Sequence, residues 1–102
     1  MGVSLIGYAE LKDDKVYYSV NNDDEVSTYD LKVVYSDGSS RSFNGRWVGA
    51  YTSEECSLFW DTPNDDFWKR RATPVKLILV SYNYHGSCLI DTTVDQEVRI
   101  WD

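Results

Sequence analysis

The stretch from Val26 to Gly38, VSTYDLKVVYSDG, decides the fold class predicted for this chain. Apolar and aromatic residues occupy every second position of its first part, which is the period of a half-buried β-strand. The residues that share this face are Tyr29, Leu31, Val33 and Tyr35. Asp37-Gly38 then favours a tight hairpin turn in which both residues have positive φ. The polar segment Ser39–Asn44 follows as a return strand of the kind found at sheet edges.

The same period of two, or a short apolar run, recurs on both sides of this hairpin. Before it, Val16, Tyr18 and Val20 alternate with Lys15, Tyr17 and Ser19, which predicts a half-buried strand. Residues 75–84 are apolar on both faces, which is typical of a strand in the middle of a sheet. The predicted strands are 16–20, 26–35, 39–44, 47–51, 75–84, 88–94 and 98–101. Many short strands separated by turn residues predict an all-β fold, an antiparallel β-sandwich or small barrel of six to eight strands. The length of 102 residues predicts a single domain, residues 1–102.

One segment, residues 53–72, departs from this pattern. Ser53-Glu54-Glu55 supplies an N-cap and first-turn acids, which favours a short helix. Pro63 would end such a helix. We therefore expect a short helical or irregular segment around 53–72, and irregular surface segments carry binding residues more often than strands do.

Short motifs recur along the chain 41 to 44 positions apart. They are Asn-Asp-Asp at 22–24 and 64–66, Leu31-Lys32-Val33 with Val75-Lys76-Leu77, and Phe43-Asn44-Gly45 with Tyr84-His85-Gly86. An aromatic-x-Gly triplet after a strand at such a period resembles the duplicated Greek-key motifs of βγ-crystallins. The segments 15–18 and 45–47 resemble, to a smaller degree, the blades of propeller lectins. The resemblance to βγ-crystallins implies Greek-key connections. Neither resemblance assigns the chain to a family.

Composition excludes several classes of function. The net charge is −7, and an acidic chain lacks the cations that binding to nucleic acid phosphates requires. No run of 18 apolar residues predicts a membrane-spanning segment. Residues 1–8 carry neither the basic nor the long apolar region of a secretory signal. We therefore expect either a cytoplasmic protein or one whose signal was removed and replaced by Met1, which leaves the compartment open. In the cytoplasm Cys56 and Cys88 are expected as free thiols, although a disulfide between them stays open.

Catalysis and metal binding receive little support from the residues. His85 is the single histidine and lies in a turn-like segment, and no serine or cysteine motif predicts a nucleophile for it. We predict no catalytic residues, no cofactor and no metal site. The oxygen-rich loops 21–25 and 61–66 are the one calcium alternative, but Asn and Asp also cluster in turns because their side chains bond to the local backbone.

Aromatics make up 15% of the residues, and most of them are expected in the core because aromatics are strand formers. We expect Tyr29, Tyr35, Phe43 and Trp101 in the core. The remaining Trp and Phe residues lie next to Asp, Asn and Arg, a mixture typical of carbohydrate sites, where rings stack on sugars and polar groups bond to hydroxyls. The predicted ligand-binding residues are Asn44, Arg46, Trp47, Trp60, Asp65, Phe67, Trp68 and Arg70.

The predicted function is thus a non-catalytic, lectin-like binding module. The alternative is an acidic protein-binding domain, of the inhibitor or immunity type, that its charge steers to a basic partner. Self-association through the edge segment Ser39–Asn44 is compatible with either function.

If Trp47 and Trp68 form the binding surface, Trp47→Ala and Trp68→Ala should weaken glycan or partner binding and leave the cooperative thermal melt intact. Quenching of Trp fluorescence during ligand titration and a melting curve measure the two effects. Loss of the cooperative melt in both variants would show instead that the two residues belong to the core.

Overall fold

The computed structural model describes residues 2–25, 27–60, 72–84 and 91–102, and it contains seven β-strands and no helix within those ranges. The strands are β1 (Val3–Lys12), β2 (Lys15–Asn22), β3 (Ser27–Tyr35), β4 (Ser40–Val48), β5 (Thr52–Phe59), β6 (Pro74–Tyr84) and β7 (Asp91–Trp101). The all-β prediction and the predicted number of strands are confirmed.

All seven strands belong to one sheet in the order β4-β3-β6-β7-β1-β2-β5. The sheet curls so that its two edge strands, β4 and β5, face each other, which makes it a nearly closed, barrel-like layer. β6 lies beside β3 and antiparallel to it, although β4 and β5 come between the two strands in the sequence. The sheet is mixed rather than antiparallel, because β1 and β7 pair in parallel at Ala9–Ile100 and Glu10–Trp101.

The core lies on the concave side of this layer and is built from alternate residues of the strands. The predicted inward faces of β2 and β3 are confirmed, since Val16, Val20, Leu31 and Val33 are all buried. The buried apolar residues are Val3, Leu5, Ala9, Val16, Tyr18, Val20, Tyr29, Leu31, Val33, Val48, Leu58, Leu77, Leu79 and Ile100. The predicted core assignment of Tyr29 is confirmed, and Tyr35 and Phe43 pack against the core from its rim. The predicted core position of Trp101 was wrong, because its side chain is 46% exposed on the outer face.

Several strand predictions were wrong in their boundaries. The strands predicted at 88–94 and 98–101 belong, in the described residues, to the single strand β7 (Asp91–Trp101). Gly45 does not end the return strand, because its left-handed φ of 70° forms a bulge inside a continuous β4. Residues 53–59 are strand β5 rather than the start of a helix. Cys56 and Leu58 alternate inward there, and pairing with β2 over the whole of β5 outweighs the capping signal at Ser53. The rest of the predicted irregular segment, 61–71, lies outside the described residues.

The predicted β3–β4 hairpin is confirmed, although its turn differs in type. The Gly38 amide donates to the Tyr35 carbonyl at 2.9 Å, and only Gly38 of the turn has positive φ, 89°. Asp37 instead accepts hydrogen bonds from the Ser39 amide and hydroxyl. The hairpin is therefore a turn followed by a left-handed glycine rather than a two-residue turn with two left-handed residues.

Gln96 connects β1 to β7 where the two backbones do not pair. Its Oε1 accepts from the Leu5 amide and its Nε2 donates to the Leu5 carbonyl, both at 2.8 Å. The side-chain amide thus supplies the two hydrogen bonds that a neighbouring strand would otherwise make. It extends the short parallel β1–β7 contact toward the start of β1.

We expect Gln96→Glu to lower the free energy of unfolding by about 1–3 kcal/mol, because a carboxylate cannot donate to the Leu5 carbonyl. Glu97→Gln is the matched control. It removes one member of the exposed Lys76–Glu97 ion pair, which should change stability by less than about 1 kcal/mol. Urea unfolding of both variants measures the difference, and equal effects would show that the Gln96 hydrogen bonds do not hold β1 to β7.

Candidate functional site

A bulge in β1 lies beside a concave feature of the outer surface. The register with β2 shifts between Ile6 and Glu10, and Gly7 within this shift has a left-handed φ of 66°. Extra residues in one strand interrupt the ladder and redirect the side chains that follow. Here they lead into Tyr8, which is 62% exposed.

A groove of about 480 Å³ opens beside this bulge, across β1, β2 and β5. Its lining residues are Tyr8, Glu10, Lys12, Tyr17, Tyr18, Ser19, Glu55 and Cys56. The volume lies in the range of sites that hold small ligands. Rings, carboxylates and a hydroxyl therefore meet in one concave surface.

Strand register explains why these side chains converge. Glu10 lies directly opposite Tyr17 on β2 and directly opposite Trp101 on β7. Residues opposite one another on the same face of a sheet have Cβ atoms about 5 Å apart. Glu55 lies opposite Ser19 on the far side of β2. The groove consequently has a carboxylate in each of its walls and the exposed ring of Tyr17 between them.

The rings beside the groove are held by contacts with other side chains. Tyr8 and Trp101 meet edge to face with ring centroids 6.1 Å apart. The Arg99 guanidinium lies 4.1 Å from the Trp101 ring centroid, close enough for a cation–π contact that covers the indole. Trp101 thus supports Tyr8 from the side, while Tyr8 and Tyr17 present ring surface to the groove.

The residues predicted from sequence as a binding site do not share one face in the part of the chain that is described. Asn44 and Trp47 lie on exposed positions of β4, whereas Arg46 points to the inner side and donates from Nη2 to the Ser57 carbonyl at 2.9 Å. Trp60 packs against the core rim beside Tyr35. Asp65, Phe67, Trp68 and Arg70 lie outside the described residues, so the predicted loop site stays a prediction.

Side chains rather than a strand ladder close the gap between β4 and β5, which we call the seam. Besides the Arg46–Ser57 hydrogen bond, Gly49 donates its amide to Glu54 Oε2 at 2.8 Å. The buried Asn22 donates to the Gly49 carbonyl at 2.9 Å. Arg46 therefore has a structural role at the barrel closure, and this role accounts for its inward direction.

A polar cluster lies behind the seam, on the inner side of the sheet. The hydroxyls of Tyr18 and Tyr29 are 3.0 Å apart, and Tyr29 Oη donates to Cys56 Sγ at 3.6 Å. Burial raises the pKa of Tyr18, while the hydrogen bond to Tyr29 and the charge of Arg46 oppose this in part. Burial, together with Tyr18 and Cys56, raises the pKa of Tyr29 well above its usual range. Both hydroxyls are thus held in the neutral form.

The described residues offer few groups for other chemistry. The described ranges contain no helix that is long and apolar enough to cross a membrane. Within the same residues, His, Cys, Asp and Glu do not come together in groups of three or more that could hold a metal ion. Cys56 is a free thiol, whereas Cys88 and His85 lie outside the described ranges.

Comparison of the chain with models of known protein families, with curated proteins and with solved structures finds no match. The chain is therefore classified from its own fold and surface. It is an all-β, barrel-like domain with a groove on its outer face that combines tyrosine rings and carboxylates.

Sequence reasoning missed this groove because it missed β1. Gly7 interrupts the alternation in VSLIGYAELK, so the segment does not resemble a regular strand. The alternation of Lys15, Tyr17 and Ser19 did place Tyr17 on the polar face of β2. An exposed tyrosine on that face, next to a glycine-interrupted apolar segment, is the signal that could have found the site.

The buried tyrosine pair predicts how stability depends on high pH. The unfolded chain releases tyrosine protons near pH 10, but the folded chain keeps those of Tyr18 and Tyr29 because their pKa values are raised. The folded state then binds more protons, so the free energy of unfolding should fall as pH rises above about 10. Urea unfolding between about pH 8 and pH 11 measures this slope.

Tyr29→Phe should make that slope shallower, and Tyr51→Phe, at an exposed position, is the matched control. A slope that is the same in the unmodified protein and in Tyr29→Phe would contradict the assignment.

Proposed function

We propose that this chain is a non-catalytic carbohydrate-binding module whose binding site is the outer-face groove. The observation that carries the proposal is the juxtaposition of Tyr8 and Tyr17 with Glu10 and Glu55 in one groove of about 480 Å³. The proposed site therefore differs from the residues that were predicted from the sequence as ligand-binding.

Sugar rings have two kinds of surface, and the groove offers a partner for each. Their C–H faces pack on aromatic rings, and Tyr8 and Tyr17 are 62% and 41% exposed. Their hydroxyls donate hydrogen bonds, and the ionised carboxylates of Glu10 and Glu55 accept such bonds at two oxygens each. Ser19 adds a hydroxyl that both donates and accepts.

The setting of these side chains suits a preformed site. Glu10 and Tyr17 are fixed on adjacent paired strands, and Tyr8 is held by Trp101. A site on a rigid sheet loses little conformational entropy when the ligand binds. The four proposed binding residues, Tyr8, Glu10, Tyr17 and Glu55, lie outside the buried core. Substitutions there can therefore remove binding and leave the fold intact.

A second candidate function is binding of a basic protein, and one observation favours it. Exposed apolar side chains continue beyond the groove on both sides, to Trp101 on β7 and Phe59 on β5. Aromatic residues of this kind are enriched in protein interfaces. Protein association steered by the net charge of −7 would slow markedly as salt rises, whereas stacking on a neutral sugar would not.

We expect Tyr17→Ala and Tyr8→Ala each to weaken glycan binding about tenfold or more, a change of about 1.4 kcal/mol. The melting temperature should change little, because both rings are exposed. Trp47→Ala is the matched control, since it removes an exposed ring of β4 that does not line the groove. A panel of neutral oligosaccharides, including cello-, xylo-, manno- and chito-oligosaccharides, read by calorimetry and Trp fluorescence, provides the measurement.

The pattern of the three variants distinguishes the two candidate surfaces. Binding lost in Trp47→Ala and retained in Tyr17→Ala would move the site to β4. Binding to none of the panel, together with a salt-sensitive association with a basic protein, would favour the second function.

A further inference from the structure

We propose that the groove selects uncharged glycans over anionic ones, and that Glu10 and Glu55 are the residues that impose this selection. The inference rests on the proposed function and names its ligand class more closely. It follows from which charged groups line the groove and which of the nearby cations are already engaged.

The two carboxylates flank the ring of Tyr17 from opposite sides. Glu10 on β1 lies directly opposite Tyr17, and Glu55 on β5 lies opposite Ser19, two residues further along β2. Both are exposed at the groove surface. A ligand seated over Tyr17 therefore lies between the two strands that carry Glu10 and Glu55.

The cations near the groove offset the two carboxylates only in part. Lys12 is the single cation among the lining residues described. The Arg99 guanidinium lies over the Trp101 ring at 4.1 Å, and Lys15 Nζ lies 4.9 Å from the Phe59 ring centroid. The arginine fork that recognises a carboxylate or sulfate is consequently held beside Trp101, and Arg99 is absent from the described groove lining.

Hydrogen-bond chemistry leads to the same preference. An ionised carboxylate is an acceptor without a donor, so Glu10 and Glu55 bond well to a sugar hydroxyl and repel a sugar carboxylate. Hydrogen bonds from a neutral hydroxyl to an ionised acceptor are among the stronger ones. The surrounding field adds to the effect, since the whole chain carries a net charge of −7.

The test uses one oligosaccharide in two charge states, a fully methyl-esterified oligogalacturonide and its free acid, added beside the neutral panel. We expect the neutral ester to bind at least about tenfold more tightly than the free acid in low salt. The double variant Glu10→Gln/Glu55→Gln keeps the shape of the groove and removes its negative charge. It should reduce the ratio between the two ligands to within about threefold, mainly by strengthening binding of the acid.

Glu25→Gln is the matched control for the loss of charge alone, because Glu25 is exposed in the β2–β3 connection and does not line the groove. It should leave the ratio unchanged. Equal or tighter binding of the free acid by the unmodified protein would overturn the charge selection and leave the carbohydrate function standing. Failure of the ester, the acid and every neutral oligosaccharide to bind would overturn the proposed function itself.

Discussion

The bulge in β1 is the constraint on which the rest of the structure depends. β1 pairs with β2 along most of its length, and it must also meet β7 for the sheet to be continuous. The shift around Gly7 lets one strand satisfy both neighbours, since parallel pairing with β7 begins only after it, at Ala9. Before the bulge, the amide of Gln96 replaces the missing ladder. The interruption that makes this possible is also the place where the groove opens.

The contacts that close the sheet differ in kind from those that join its inner strands. Strands inside the sheet are joined by regular ladders, but the seam is bridged by single side chains such as Arg46 and Asn22. A guanidinium can reach across a gap that backbone groups cannot span, at the cost of bringing a charge to the rim of the core. The neutral hydroxyls of Tyr18 and Tyr29 lie beside it and provide polar surroundings. The inner polar cluster is therefore explained by closure and needs no ligand.

The sequence predicted the fold class and the central strands because their side chains obey a single requirement, burial of alternate residues. Tyr29, Leu31 and Val33 alternate with polar neighbours, and they are buried as predicted. The prediction failed at Gly7 and Gly45, where left-handed residues form bulges inside strands that the alternation alone would end. It also failed for 53–59, since local capping chemistry competes with pairing that only the folded β2 can provide. Bulges and long-range pairs are properties of two strands together, and one strand's sequence does not contain them.

The same reasoning explains why the candidate site was harder to predict than the core. A binding residue on an outer face obeys no periodic rule, and its partners come from other strands. Glu10 becomes a candidate site residue only because the strand register places Tyr17 on one side of it and Trp101 on the other. Trp101 was predicted in the core because aromatic residues are strand formers, yet it lies on the outer face next to the buried Ile100. The aromatic residues thus fall into two groups, according to the face of the strand on which they lie. The inward rings belong to the core and its rim, and the outward rings of β1, β2 and β7 form a surface on which no requirement of folding acts. Because of this separation, substitutions in the groove can alter the proposed ligand binding while the barrel behind it stays unchanged.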